Sequence, residues 1–226
     1  LSGGMDMTIG LILLVIVGAL ILLGVGQRVL DRLRLTDRQA LLFIALILVG
    51  GFIPDVPVGP LFSFNIGGAL IPLALCVYLW IKAGTAKERV RCLIAAAIAG
   101  AVSYALGRLM PDEPESIWID PSWMHGLAAG VIGYLFGRSR RGAFIAATVG
   151  VMLAELLSAM TVWGQGVAQR LVLGGAGGFD VIVVSGLLAV LLSELIGEIL
   201  ERIQRGGKRP MREFKNGEFI EREGEK

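Results

Sequence analysis

Seven apolar stretches, each about long enough to cross a bilayer, alternate with loops whose Lys and Arg fall almost entirely on one side. At about 20 apolar residues per helical crossing, the stretches read as Met7–Val25, Gln39–Pro54, Leu61–Ile81, Cys92–Met110, Met124–Gly137, Phe144–Gly164 and Asp180–Leu200. The second and fifth are short and are expected to tilt little or to borrow loop residues. The chain is 55% apolar and only 18% charged over 226 residues. A soluble domain of this length could not hide so much apolar surface, whereas a helical membrane protein needs it. The sequence therefore predicts an all-α membrane protein, a bundle of about seven transmembrane helices.

The basic residues orient this bundle. Arg28, Arg32, Arg34 and Arg38 lie in one loop, Lys82, Lys87, Arg89 and Arg91 in another, and Arg138, Arg140 and Arg141 in a third. With the basic tail they account for all but two of the 21 Lys and Arg residues, leaving Arg108 and Arg170 for the opposite side. Cytoplasmic loops carry such an excess, which predicts the N-terminus outside and the C-terminus in the cytoplasm. Three divisions follow: residues 1–6 as a cloning remnant (Leu1-Ser2-Gly3-Gly4 before Met5) and outer N-terminus, 7–200 as the bundle, and 201–226 as a charged tail. The first stretch lacks a basic flank and a small-residue cleavage site, so it reads as a retained anchor. In the tail, Asn216-Gly217 between alternating residues suits a two-residue hairpin turn, with a disordered tail as the alternative.

A net charge of +2 gives no reason to expect a nucleic-acid partner. Cys76 and Cys92 are expected near the inner ends of their spans, where a disulfide is not favoured, and no Cys/His spacing suggests a metal or names a cofactor. Gly174-Gly175-Ala176-Gly177-Gly178 lacks the Lys and Ser/Thr of a phosphate-binding loop and, on this reading, follows no strand. The fourth stretch is rich in Ala and Gly, and the fifth carries Gly126, Gly130, Gly133 and Gly137. Small residues at four-residue steps let helix backbones approach closely, either within the chain or against a second copy in a homo-oligomer.

Polar groups inside an apolar span cost about 2.5–3.5 kcal/mol at its centre on insertion scales, so each needs a reason. Asn65 lies inside the third stretch, followed by Gly67-Gly68 and Pro72, a pattern that predicts a broken helix. Asp120, ahead of Pro121, reads as a helix N-cap, and His125, the only histidine, as an interfacial hydrogen-bonding group or a ligand-binding one. Asp180 opens the last span as a cap or a site residue. Glu155 is the deepest acid, and must pair, be protonated or face water. Glu194 and Glu198 lie one turn apart toward the inner end, where they can meet basic loops, and Asp55 reads as a turn residue.

Three segments together resemble a prokaryotic membrane family known as domain of unknown function 1614: Asn65-Ile66-Gly67-Gly68-Ala69-Leu70-Ile71-Pro72-Leu73, Ala154-Glu155-Leu156-Leu157, and Gly174-Gly175-Ala176-Gly177-Gly178-Phe179-Asp180 with Ser185-Gly186-Leu187-Leu188-Ala189-Val190. The resemblance implies a multi-pass protein of a prokaryotic cell membrane and no established activity. In that family an Asp stands at Glu155 and a Thr at Gly178.

Three functions fit these residues. The first is binding or transport of a small molecule or cation, in an outward-opening polar site lined by Asn65, Glu155, Asp180 and His125. The second is an intramembrane aspartyl protease using Glu155 and Asp180 as the acid pair, although Phe179 stands where such enzymes carry Gly before the second acid. Ile71-Pro72-Leu73-Ala74-Leu75 has a partial likeness to the Pro-Ala-Leu segment of presenilin-like enzymes. The third is a structural or accessory subunit of a membrane complex, its basic tail contacting a soluble partner or anionic lipid.

Overall fold

A computed structural model describes residues 37–109, 121–137, 139–177, 180–206, 212–215 and 218–221. The predicted first span, Met7–Val25, lies outside the described residues, as do Asp120 and the side chains of His125, Glu194 and Glu198. Two compact units are resolved, residues 1–193 and 194–226.

The first unit holds helices α1 (Asp37–Gly51), α2 (Ile71–Ile81), α3 (Ala86–Leu109), α4 (Pro121–Gly137) and α5 (Arg140–Gly164), with the part of α6 (Val181–Gly206) up to Ser193. Of these six helices, α3 and α5 are long and apolar enough to cross a membrane. The apolar parts of the other helices run 10–17 residues, so helix length by itself does not carry the predicted count of seven spans.

Two departures from the sequence reading change the architecture from all-α to mostly helical. Residues 61–64, assigned above to the third span, are not helical: Phe62–Phe64 forms strand β2. It pairs antiparallel with β1 (Val56–Pro57) and parallel with β3 (Leu171–Leu173), at the register Phe62↔Leu171, Ser63↔Val172 and Phe64↔Leu173. A Phe-Ser-Phe run between Pro60 and Asn65 is too short for a helix and alternates as a strand does, so Ser63 alone of the three is fully buried. The glycine-rich run therefore does follow a strand, since Gly174 comes directly after β3. It still lacks the Lys and Ser/Thr that hold phosphate.

Helices α3 and α5 run parallel. Along their contact Glu88 meets Arg141, Gly100 meets Gly150, and the Tyr104 hydroxyl lies 2.9 Å from that of Thr161. Thr161 donates to the Leu157 carbonyl at 2.8 Å, which leaves Tyr104 as the donor between the two hydroxyls. The small residues of α3 make this approach possible: Ala95, Ala96, Ala99 and Gly100 are all buried. The helix α4 runs antiparallel to α5, bringing Gly133 onto the Ala143 carbonyl, while Gly130 faces Ala189 and Leu192 of α6.

Both starts of the parallel pair are capped at the same end of the bundle. Thr85 Oγ1 accepts from Glu88 N at 3.1 Å and a Glu88 carboxylate oxygen accepts from Gly84 N at 3.0 Å, a near capping box. Ser139 Oγ accepts from Gly142 N at 2.9 Å to start α5. Arg141 then joins the two starts through Glu88 at 3.2 Å and the Lys82 carbonyl at 2.7 Å. The loops carrying Lys82–Arg91 and Arg140–Arg141 thus converge. Cys76 and Cys92 are both buried and both free, in an apolar cluster with Leu79 and Phe144.

The second unit contains the rest of α6 and a hairpin of β4 (Arg212–Lys215) and β5 (Glu218–Glu221), antiparallel with Phe214 opposite Phe219 and Lys215 opposite Glu218.

The α3–α5 contact gives a direct test. A Cβ placed on Gly150 falls 2.6 Å from Ala99 Cβ and 3.1 Å from Gly100 N, whereas one on Gly164 meets nothing. Gly150→Ala is expected to destabilise the protein by about 1–3 kcal/mol through overpacking and Gly164→Ala to leave it near wild type, as read by thermal unfolding.

Candidate functional site

Asn65, Asp180 and Glu155 fall into two adjoining arrangements at the end of the bundle opposite the basic loops. The first is a turn packed on glycine. After β2 the chain makes a π-helical turn, Ile66–Leu70, before α2 begins at Ile71. Such a turn widens the helix and strands its first N–H groups, and the Asn65 side chain supplies what they lack. Asn65 Oδ1 accepts from Gly67 N and Gly68 N, both at 3.0 Å. Its amide nitrogen donates to the Ile53 carbonyl at 3.2 Å and to Asp55 Oδ1 at 3.0 Å. Its backbone N–H donates to the Leu173 carbonyl at 2.8 Å, continuing the strand pairing. With the residue only 3% exposed, every polar group of its amide is in use.

Glycine is required around that turn because backbone meets backbone. A Cβ on Gly67 would overlap Ile47 and Gly51 of α1, and one on Gly68 would overlap the carbonyls of Gly174 and Gly177. Gly174 and Gly177 also have φ of +70° and +62°, which side chains rarely adopt. The Asn65–Pro72 and Gly174–Asp180 segments, about a hundred residues apart in sequence, are in direct contact here.

Asp180 closes the same loop. One carboxylate oxygen accepts from Ile182 N at 3.0 Å, the cap of α6, and the other from Ala176 N at 3.2 Å. Both oxygens are therefore committed to backbone N–H groups.

The second arrangement is a cavity of about 320 Å³ between the C-terminal halves of α3 and α5, closed on one side by residues 169–171 and Val181. Glu155 lines it, partly exposed, and makes no hydrogen bond or ion pair with any described residue. Its carboxyl lies near enough to that of Asp180 for the two to influence each other, but no hydrogen bond joins them. Ser103 also faces the cavity; it is 2% exposed and its hydroxyl has no hydrogen-bond partner among the described residues. Ser158, Trp163, Gln169 and Arg170 complete the polar lining. Trp163 Nε1 donates to the Gln169 carbonyl at 2.7 Å, and Leu171 N donates to the Leu61 carbonyl at 2.8 Å. Arg170 is thus held between two anchored neighbours.

Of the sequence candidates, the structure brings Glu155 and Asp180 near each other and sets only Glu155 on the cavity; Asn65 serves the turn, and the side chain of His125 lies outside the described residues. Ser103, Gln169 and Arg170 were not singled out as site residues. Arg170 had a signal, as one of two basic residues off the basic side; Ser103 had none, being one small residue among many. Among the described residues no group of three His, Cys, Asp or Glu side chains could hold a metal ion.

The three segments that meet here are those that carry the family likeness, and a family model described as protein of unknown function (DUF1614) matches residues 16–192. The chain belongs to DUF1614. No curated protein and no solved structure matches it. The DUF1614 match takes in both the glycine-packed turn and every residue lining the cavity.

The turn predicts the outcome of two substitutions. Asn65→Ala strands two N–H groups and is expected to cost about 1–3 kcal/mol. Asn65→Asp keeps the acceptor but loses the donor and brings a second carboxylate against Asp55, so it is expected to melt lower than wild type as well. Thermal unfolding of both variants checks this, and a wild-type melting temperature for Asn65→Asp would remove the donor's role.

Proposed function

We propose that this DUF1614 member is a multi-pass protein of a prokaryotic cell membrane that binds a small cation-bearing solute in an outward-facing cavity headed by Glu155, as a binding protein or carrier. The observation that carries the reading is a carboxyl on the middle of an apolar helix that has no hydrogen-bond or ion-pair partner among the described residues and lines a cavity. A residue of that kind is costly in an apolar setting and is held there by use.

Support for the membrane comes from where the apolar side chains point. Only 33% of the apolar window of α3 and 50% of that of α5 is buried. Outward rows run along the helices, such as Leu42, Leu46 and Val49 on α1 and Leu127, Val131 and Leu135 on α4. Contiguous apolar surface on this scale is rare on soluble monomers, and lipid is the solvent that favours it. Support for the orientation comes from the two basic loops, which gather at one end while the cavity sits at the other; a cytoplasmic basic end turns the cavity outward. The protease alternative has less to support it, because Asp180 spends both carboxylate oxygens on backbone N–H groups and shares no hydrogen bond with Glu155.

Single cysteines test both parts, in a background where the buried Cys76 and Cys92 are replaced by Ala. Gln169→Cys is expected to react with a membrane-impermeant maleimide on intact cells, and Lys87→Cys only after permeabilisation; the reverse pattern overturns the orientation. At Ser158→Cys, a cationic thiosulfonate is expected to react several-fold faster than an anionic one of equal size. Loss of that preference in Glu155→Gln ties it to the carboxyl, and equal rates in both backgrounds would sink the cation-attracting cavity.

A further inference from the structure

The cavity is lined by an acid and a base that do not meet. Glu155 lies on its inner wall and Arg170 at its rim, yet no ion pair joins them. In water such separation would mean little. Here Arg170 is one of two basic residues of the chain placed away from the basic loops and the basic tail, and its backbone is fixed on both sides. An arginine held in that way at the rim of an acidic cavity is suited to an anion. Glu155, whose carboxyl lines the cavity, is suited to a cation. The Ser103 hydroxyl, buried on the wall, adds a hydrogen-bonding group that no described residue satisfies. Trp163, its ring nitrogen engaged with Gln169, presents an aromatic surface to the same space, and aromatic rings favour ammonium groups.

Size narrows the class. At about 320 Å³ the cavity stands at the small end of the range for ligand sites, about 300–1,000 Å³. That volume suits a single small polar molecule.

Building on the reading of the cavity as a binding site, we propose that its ligand is a small zwitterion carrying an ammonium group set against Glu155 and an anionic group set against Arg170. Two sources share this chemistry: a free amino acid, and the ethanolamine phosphate headgroup of a phospholipid. Each presents both charges within a few bonds, so each can face Glu155 and Arg170 at once.

Titration calorimetry on the purified full-length protein in detergent tests this with named probes: L-alanine, 4-aminobutyrate and glycerophosphoethanolamine as zwitterions, propylamine and propionate as single charges. At least one zwitterion is expected to bind, and neither single-charge probe to approach its affinity. Glu155→Gln is expected to weaken that zwitterion by about 30-fold or more, the conversion of about 2 kcal/mol for one partner of a desolvated charge pair. Arg170→Ala is expected to weaken it several-fold, while Arg108→Ala, which leaves the cavity untouched, binds as wild type. Binding of an amino acid without glycerophosphoethanolamine assigns the source as a free solute, and the converse assigns a lipid headgroup. Propylamine bound as tightly as any zwitterion, with no effect of Arg170→Ala, overturns the zwitterion while keeping a cation site at Glu155. Silence from all five probes in protein that melts normally removes the binding reading and the zwitterion together.

Discussion

Backbone amides that leave a regular helix inside an apolar bundle must be paired by something other than water, and the segment from Asn65 to Leu70 depends on that constraint. One carboxamide answers it. Its oxygen takes two N–H groups of the widened turn, and its nitrogen reaches back to the Ile53 carbonyl and Asp55. Because the turn is satisfied, α2 can start late, at Ile71, and the residues ahead of it are free to pair as a strand with β3. That pairing, in turn, sets residues 169–171 against the end of α5 as one side of the cavity. The site is therefore built indirectly: the asparagine never reaches it, and its rim depends on the strand that precedes the asparagine.

Much of the helical framework was legible from apolar runs, because a run of twenty apolar residues bounded by charge has few other readings. The predicted start at Phe144 and the observed start at Arg140 differ by one turn, and the end at Gly164 coincides. An irregularity near Asn65 was also legible, as a polar residue, two glycines and a proline crowded into an apolar stretch. The predicted broken helix is instead a strand followed by a continuous helical run from Ile66 to Ile81 that opens with a π-helical turn. The strands were not legible. Phe62-Ser63-Phe64 and Leu171-Val172-Leu173 are three residues each and pair across more than a hundred positions, a range at which local periodicity carries no information. With the strands unseen, the loop that carries Arg170 had no fixed place, and the arginine registered only as an exception to a charge count.

The acids divide for a reason the sequence could not supply. Glu155 and Asp180 look alike on paper, each an acid beside apolar residues. In the fold, Asp180 lies at a helix start where backbone N–H groups are waiting, whereas Glu155 lies on a continuous helix whose N–H groups are already bonded. An acid at a helix start can be a structural part, while an acid in mid-helix has to look outward for a partner. The same logic separates Ser103, buried and unpartnered, from Ser139, whose hydroxyl accepts from Gly142 N at the start of α5.

Contact between Gly51, Gly67, Gly68, Gly174 and Gly177 is made by main chain alone. Side chains cushion most interfaces, since a rotamer can absorb a small displacement before the backbone feels it. Here there is no such slack: α1, the turn before α2 and the loop after β3 bear on one another like stones set without mortar. A shift of the end of α1 by a fraction of an ångström would be passed on undamped to Gly174, four residues from Arg170. The helix that stands farthest from the cavity in the chain is thereby geared to its rim.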